Sequence, residues 1–268
     1  MPRCQNEVVT DSQHPGAILV TGGTGQLGRP TVDLLRQAAH EVRVLSRSPG
    51  EGRVLGDLRT GAGLAEALNG VHTVIHLATN NRKDSPATRT LLEACRTAGV
   101  RHVIYQSIVG VDEIPYLLYR DKVVCEQLVA GSGIPFTILR ATQFHTFVGG
   151  FFRMQRRLPV QLALAMPVQP IAIPDVATRL AELAAAAPAG RVPDLGGPEV
   201  LTVAEAGDIW QRAHGTSRKQ WRWRLPGRTF AAYAAGFHAN APRHPGQTFA
   251  EYAAQVAAED QASTSSRS

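Results

Sequence analysis

A glycine-rich segment near the N-terminus constrains the fold of this chain more than any other feature. Residues 21–28 read Thr-Gly-Gly-Thr-Gly-Gln-Leu-Gly and lie between an apolar run, 17–20, and an amphipathic stretch, 27–38. Glycines at this spacing let a chain turn sharply, approach a pyrophosphate closely and seat a helix against the preceding strand. The segment therefore predicts a strand, a tight turn and a helix whose first N–H groups bind phosphates. The residues expected to contact a dinucleotide here are Thr21, Gly22, Gly25, Gln26, Leu27 and Gly28.

Strand-like and helix-like patterns alternate along the first half of the chain. The predicted strands are 17–20, 40–45, 53–55, 71–77, 103–106 and 136–139, and the predicted helices are 27–38, 64–68, 88–98 and 119–129. This alternation is typical of βαβ units and predicts an α/β fold with a doubly wound parallel sheet, the Rossmann fold. Right-handed crossovers then place a ligand outside the carboxyl ends of the strands.

We expect a single NAD(P)-binding domain over residues 17–258, with its substrate region mainly in 143–174 and 197–258. Residues 1–16 lack an apolar core and are expected to form a flexible tail, and the polar, Ser-rich residues 259–268 a disordered one. Asp175 is expected to cap a helix that follows it. Residues 218–224 alternate basic and Trp side chains, which favours an exposed strand over a surface for single-stranded nucleic acid.

The composition is that of an ordinary globular protein, with 44% hydrophobic and 19% charged residues and apolar runs too short to cross a bilayer. Three scattered cysteines predict free thiols and a cytoplasmic location. The net charge of +6 suits an anionic cofactor. No His or Cys spacing fits zinc, so we expect a small-molecule substrate and no metal, nucleic acid or membrane. The sequence leaves the oligomeric state open, and a homo-oligomer is one of the alternatives.

Several ordered blocks of the sequence resemble one known family. They are residues 21–28, Gly56-Asp57-Leu58, 107–112, 122–126, 140–145 and 196–199. Together they resemble the atypical short-chain dehydrogenase/reductases, in particular the NmrA-like NAD(P)-binding group, over about residues 17–257. The resemblance implies a Rossmann fold, but it is less specific for a reaction because one fold supports many functions. It also implies that Asp57 and Leu58 lie at the adenine, and Ala78 and Thr79 beside the nicotinamide.

The end of the second predicted strand bears on the choice of cofactor. NAD-preferring sites carry an Asp or Glu there to bind the ribose hydroxyls, whereas this chain has Ser46 and Arg47. A guanidinium binds a 2′-phosphate with charge-assisted hydrogen bonds, and a hydroxyl adds a donor. NADP(H) is therefore the expected cofactor. The competing interpretation of Arg47 is a solvated loop charge, and that of Asp57 is a turn cap.

The sequence indicates the catalytic residues less directly than the cofactor site. The resemblance implies that Ser107 orients the substrate and that Lys122 holds the nicotinamide ribose. A short-chain reductase usually has a Tyr four positions before that Lys, but here Tyr119 is three before it. On a helix this shift rotates the phenol by about 100°. The candidate acids are therefore Tyr119, Tyr116 and His145. The competing interpretation of His145 is a packed or surface side chain without a catalytic role.

Three hypotheses remain from the sequence: a reductase that uses another acid, hydride transfer to an activated acceptor, and NADP(H) binding without turnover. The first two belong to one function. The preferred one is an NADPH-dependent oxidoreductase that transfers hydride to a small organic acceptor of ketone, enone or quinone type. Hydride transfer to an activated acceptor such as a quinone or enone needs little acid catalysis, so the displaced Tyr119 matters less there. The alternative is a non-catalytic NADP(H)-binding redox sensor or regulatory protein of the NmrA type.

Overall fold

The computed structural model describes residues 16–80 and 83–265. The strands are β1 (Ala17–Thr21), β2 (Val42–Ser46), β3 (Arg53–Leu55), β4 (Val71–His76), β5 (His102–Ile108), β6 (Phe136–Ala141), β7 (Gln161–Leu164), β8 (Pro167–Val168), β9 (Gly190–Arg191), β10 (Leu201–Thr202) and β11 (Gln220–Trp223). The helices are α1 (Gly28–Gln37), α2 (Leu64–Ala67), α3 (Ser85–Thr97), α4 (Leu117–Ala130), α5 (His145–Met154), α6 (Ile173–Ala185), α7 (Val203–Ala213), α8 (Arg228–Ala234) and α9 (Phe249–Ser265).

Seven strands form the central sheet in the order β3-β2-β1-β4-β5-β6-β9, and every neighbouring pair is parallel. The chain winds outward from β1 in one direction through β2 and β3, and in the other from β4 onward. The order therefore reverses between β1 and β4, which is where such sheets bind nucleotides at the carboxyl ends of their strands. This arrangement confirms the doubly wound Rossmann fold.

Helices cover both faces of the sheet, because parallel strands are apolar on both sides. On one face, α1 and α6 pack through Val32, Leu35, Val176 and Leu180. On the other face, α2, α3 and α4 bury Leu64, Leu91, Cys95, Cys125 and Val129. The glycine turn therefore connects a buried strand, β1, to a helix, α1, that is packed on the sheet.

The second half of the chain builds a separate apolar cluster outside the sheet. Its buried members include Val148, Phe152, Trp210, Phe249 and Val256, which come from α5, α7 and α9. Two small sheets, β7 with β11 and β8 with β10, lie in this half of the chain. The strand expected in 218–224 is present as β11, and its Trp221 and Trp223 side chains are exposed. No helix in the described residues is long and apolar enough to cross a membrane.

Two local predictions are corrected by the structure. The last helix does not end at residue 258 but continues to Ser265, so residues 259–265 are helical rather than disordered. Asp260 in this extension pairs with Arg153 of α5 at 3.0 Å, a contact that the sequence does not reveal. Asp175 does not cap α6, because the helix begins at Ile173 and Asp175 lies inside its first turn.

Other tail predictions are untested. Apart from Gly16, the expected N-terminal tail, together with Cys4, lies outside the described residues, as do residues 266–268.

Candidate active site

The turn after β1 is shaped by steric requirements at two of its glycines. Gly22 has φ +69°, and a Cβ there would lie 2.7 Å from the backbone N of Ala78. A Cβ on Gly28 would lie 2.1 Å from the carbonyl oxygen of Gly22. Gly25 differs, because its Cβ would meet nothing closer than 3.2 Å and the residue is exposed. Gly22 and Gly28 therefore shape the turn, whereas Gly25 leaves its outer side open.

The N-terminus of α1 fits the phosphates of a dinucleotide. No side chain caps this helix, and Pro30 in its first turn has no N–H to satisfy. The preceding residues Gly25 and Gln26 are exposed, while Leu27 is buried and anchors the turn. The backbone N–H of Arg29 donates to Gly25 O at 3.1 Å, so the N–H groups that precede it and the helix dipole are what this end offers to an anion.

The end of β2 is basic. Arg47 is exposed and forms no ion pair within residues 16–80 and 83–265. The Ser46 hydroxyl donates to the carbonyl of Ser48 at 2.8 Å. Two further guanidinium groups approach the same loop: a Cβ on Gly50 would lie 2.8 Å from Arg53 Nε, and one on Gly52 would lie 2.5 Å from Arg36 Nη2. Glu51 is the one acid within this loop. The local positive charge therefore favours binding of a 2′-phosphate.

The carboxylate and the backbone N of Asp57 both form hydrogen bonds within its own turn. Its Oδ1 accepts from the backbone N of Arg59 at 2.8 Å, and its backbone N donates to Ala62 O at 2.9 Å. This geometry is that of the turn cap which the sequence left as one interpretation. Leu58 packs against the apolar cluster beneath the sheet. A contact from either residue to an adenine stays a prediction.

A buried polar network connects the glycine turn to α3. The Nδ1 of His76 is 2.7 Å from the Thr21 hydroxyl, and its Nε2 is 3.0 Å from the Thr88 hydroxyl. Burial, with a further contribution from Lys122, lowers the pKa of His76 to about 3. The imidazole is therefore neutral and acts as a fixed link, and the Thr21 hydroxyl also accepts from Ala78 N at 3.3 Å.

Lys122 lies on α4 and forms a buried ion pair with Asp84. The distance from Nζ to Oδ2 is 3.3 Å, and the two side chains are only 8% and 4% exposed. Nζ also lies 5.3 Å from the centre of the Tyr105 ring. No sequence motif singles out Asp84, and its one local signal is its place directly before Ser85-Pro86, where a helix begins.

Ser107 lies near the end of β5 and is fully buried, and its Oγ has no hydrogen-bond partner among the described residues. Side chains two positions apart on a strand share a face, so Ser107 faces the same side of the sheet as Tyr105. Because Tyr105 lies under Lys122, the fold brings Ser107 and Lys122 to one side of the sheet, where the resemblance expects them.

Tyr119 has different neighbours from Lys122. Its ring packs against Tyr116 and Tyr233, with centroids 5.8 and 6.1 Å apart. Burial, and then the adjacent Tyr233, raise the pKa of the Tyr119 phenol above its ordinary value. A lysine-activated phenol would show the opposite shift. The arrangement agrees with the one-residue displacement seen in the sequence.

His145 lies at the start of α5 and is 1% exposed. Its ring contacts Tyr252 and Phe249 of α9, at 5.2 and 5.9 Å between centroids. Burial lowers its pKa to about 4. The structure thus places His145 in a packed aromatic cluster, in agreement with the interpretation as a packed side chain. His145 is therefore left out of the proposed catalytic residues.

A cleft of about 570 Å³ lies between the segment after β5 and the α8 region. Its lining includes Ile114, Pro115, Arg120 and Arg228, but neither Ser107 nor Lys122. The segment 143–174, expected to build the substrate pocket, does not contribute to it. In the described residues, no group of three or more His, Cys, Asp or Glu side chains is arranged to hold a metal ion.

The sheet order, the glycine turn at its reversal point and the uncapped helix define a dinucleotide-binding protein of the Rossmann type. A family model described as NAD(P)H-binding matches residues 22–150. A (4-alkanoyl-5-oxo-2,5-dihydrofuran-3-yl)methyl phosphate reductase of Streptomyces griseus is 33% identical over 70% of this chain and 70% of its own length. The chain therefore belongs to the NAD(P)H-binding family, within the NmrA-like, atypical short-chain dehydrogenase/reductase group.

A sequence comparison and a structure comparison each point to a quinone oxidoreductase of Escherichia coli. Quinone oxidoreductase 2 of Escherichia coli is 29% identical over 46% of this chain, and the match spans 47% of that protein. Among solved structures, an NADPH-dependent quinone oxidoreductase of Escherichia coli in complex with NADPH superposes with a TM-score of 0.80 at 21% identity. That superposition covers 89% of this chain and 99% of the other, and it confirms the fold.

Proposed function

We propose that this protein is an NADPH-dependent oxidoreductase that transfers hydride to a conjugated acceptor of quinone or enone type. Family membership supports NAD(P)H binding, and relatives at 33% and 29% identity are named as a reductase and a quinone oxidoreductase. The name of the first denotes an unsaturated lactone conjugated with carbonyl groups, and a quinone is also a conjugated carbonyl compound. Both acceptor classes take hydride without a strong acid catalyst.

The cofactor half of the proposal rests on charge and steric fit. Gly22 and Gly28 hold the turn in the shape that a pyrophosphate needs, and the first N–H groups of α1 bind it. Arg47 binds the 2′-phosphate in a loop that Arg36 and Arg53 make more basic, and the Ser46 hydroxyl joins it by turning away from the Ser48 carbonyl. Asp57, Leu58, Ala78 and Thr79 line the adenine and nicotinamide sides. When bound, NADPH supplies the hydride.

One observation supports the acceptor class: Lys122 and Tyr119, at or beside the positions where reductases of simple ketones couple a lysine with a phenol, have different partners. Lys122 is paired with Asp84, while Tyr119 packs on Tyr233 with its pKa raised. Without an activated phenol, reduction of an isolated carbonyl is slow, because the developing alkoxide needs a proton. A conjugated acceptor delocalises that charge. Lys122 then donates to the nicotinamide ribose, and the Ser107 hydroxyl orients the acceptor.

The test combines binding and turnover. The purified protein is titrated with NADPH and NADH by fluorescence, and cofactor oxidation is followed with matched quinones, enones and simple ketones. We expect selective binding of NADPH, turnover of quinones or enones, and little reduction of ketones. In the same titration, Arg47→Ala should weaken NADPH binding about 10- to 100-fold and leave NADH binding nearly unchanged.

Three other outcomes contradict parts of the proposal. NADPH binding without oxidation by any acceptor would favour the redox-sensor alternative. Efficient ketone reduction would show that an acid catalyst exists after all. An equal loss of NADPH and NADH affinity in Arg47→Ala would remove the role given to Arg47.

A further inference from the structure

Asp84 is the one buried carboxylate that contacts Lys122 within the described residues. It lies at the N-terminus of α3, whereas Lys122 lies on α4, so the ion pair joins two helices that pack side by side on the sheet. An ammonium has three N–H donors. With one donor directed at Asp84, two remain for other acceptors, and the ion pair limits the positions that Nζ can take.

The same carboxylate also fixes the loop after β4. Its Oδ2 accepts from the Thr79 hydroxyl at 2.6 Å, and its Oδ1 accepts from the backbone N of Asn80 at 2.8 Å. Burial acts to raise the pKa of Asp84, but the hydrogen bonds from Thr79 and Asn80 and the nearby Lys122 outweigh it and hold the pKa below its usual value. Asp84 is therefore ionised and connects the loop to the lysine.

A second carboxylate holds Asp84 in place. Asp121, the residue before Lys122, accepts from the backbone N–H groups of Asp84 and Ser85 and from the Ser85 hydroxyl at 2.6 Å. Asp121 thus satisfies the first N–H groups of α3 and ties the start of this helix to α4. It forms no ion pair with Lys122 within the described residues.

We infer that Asp84 is a positioning residue for cofactor binding, which holds the Lys122 ammonium and the Thr79–Asn80 loop in register on the nicotinamide side. This inference rests on the proposed function, because Lys122 is assigned there to the nicotinamide ribose. Asp84 acts through Lys122 and the loop, and it does not itself touch the cofactor.

The test uses Asp84→Asn with Asp121→Asn as its matched control. Each variant removes one negative charge from the same buried region. The amide that Asp84→Asn introduces cannot serve both sides of the site, because its NH₂ group must face either the ammonium or the backbone N–H of Asn80. The amide that Asp121→Asn introduces can still accept from backbone N–H groups through its oxygen. We expect Asp84→Asn to weaken NADPH binding about tenfold or more, and Asp121→Asn to change it less than about threefold.

Two readouts separate positioning from general damage. Adenosine 2′,5′-bisphosphate carries only the adenine half of NADPH, so its affinity should not change in Asp84→Asn. In a Lys122→Met background, Asp84→Asn should weaken NADPH binding clearly less than in the wild type, because the lysine it positions is gone and only its hold on Thr79 and Asn80 remains. The double variant contains neither charge of the buried pair, and the Asp84 carboxylate left in Lys122→Met still accepts from Thr79 and Asn80. These two variants can therefore be compared even if Asp84→Asn alone folds poorly.

The outcomes are distinct. Wild-type affinity for NADPH in Asp84→Asn would overturn the inference and leave the proposed function standing. Equal losses of NADPH and bisphosphate affinity, or an undiminished loss in the Lys122→Met background, would also overturn it, because they indicate structural damage. If the wild-type protein binds no NADPH, the proposed function fails first and this inference fails with it.

Discussion

Single residues in the glycine turn have unequal roles that the sequence spacing does not distinguish. A Cβ on Gly28 would meet the Gly22 carbonyl at 2.1 Å, whereas a Cβ on Gly25 would come no closer than 3.2 Å to it. Gly28→Ala should therefore lower the free energy of unfolding by about 1–3 kcal/mol, because backbone must move. Gly25→Ala should change it by less than about 1 kcal/mol and mainly weaken NADPH binding.

Urea unfolding and NADPH titration of the two variants check this difference. A Gly28→Ala protein as stable as the wild type would show that the turn adapts to a side chain. A Gly25→Ala protein with unchanged NADPH affinity would place the pyrophosphate elsewhere.

The sequence predicted those site residues that belong to local patterns and missed those that depend on distant contacts. The glycines and Arg47 lie in short segments whose composition indicates their chemistry. Asp84 has no such pattern, because its importance comes from an approach to Lys122 across two helices. The displaced Tyr119 was visible in the spacing, but its packing against Tyr233 was not.

Between elements, a buried ion-pair network joins β6, α4 and the segment after β5. Arg140 donates to both carboxylate oxygens of Glu126 at 2.8 and 2.7 Å, and to both of Asp112 at 2.9 Å. Arg140 and Glu126 are 5% and 11% exposed, whereas Asp112 is 46% exposed. Three sequence blocks that carry the family resemblance are thus tied together at one guanidinium.

Unequal burial predicts unequal effects of removing the two acids. Glu126→Gln should lower the free energy of unfolding by about 3–5 kcal/mol, because it leaves a buried guanidinium partly unpaired. Asp112→Asn should lower it by less than about 1 kcal/mol, since water compensates an exposed pair. Denaturant unfolding at constant pH measures both, and equal losses would mean that burial does not govern the network.

Element types followed from the hydrophobic periodicity, since strands and helices of the sheet have clear apolar faces. The C-terminal end of α9 could not be predicted from periodicity. Residues 259–265 are polar, and their helical state accompanies the contact between Asp260 and Arg153 on α5. Periodicity within a segment carries no information about such a partner.

For the whole molecule, buried histidines predict sensitivity to acid. Burial lowers the pKa of His76 to about 3 and those of His102, His145 and His238 to about 4, against about 6.5 when unfolded. Below about pH 6.5 the unfolded chain binds protons that the folded chain does not. The resulting stability is complete above about pH 6.5 and is lost as pH falls toward about 4.

Each of these histidines contributes a slope of up to about 1.4 kcal/mol per pH unit in that range. Urea midpoints measured from about pH 7.5 to about pH 5 should therefore fall steeply with acidity. A flat profile over this range would show that the four side chains become protonated without unfolding.

The cluster formed by α5, α7 and α9 also has a consequence for synthesis on the ribosome. The central sheet and the helices that cover it are complete in the nascent chain by Arg191, but Phe152 and Trp210 are covered by Phe249 and Val256 only after α9 has been synthesised. Until then these two aromatic side chains lack the part of their packing that α9 supplies, so the emerging polypeptide passes through a stage in which a formed nucleotide fold carries an uncovered apolar surface. Chaperone binding at that stage is the expected result of covering this cluster with α9.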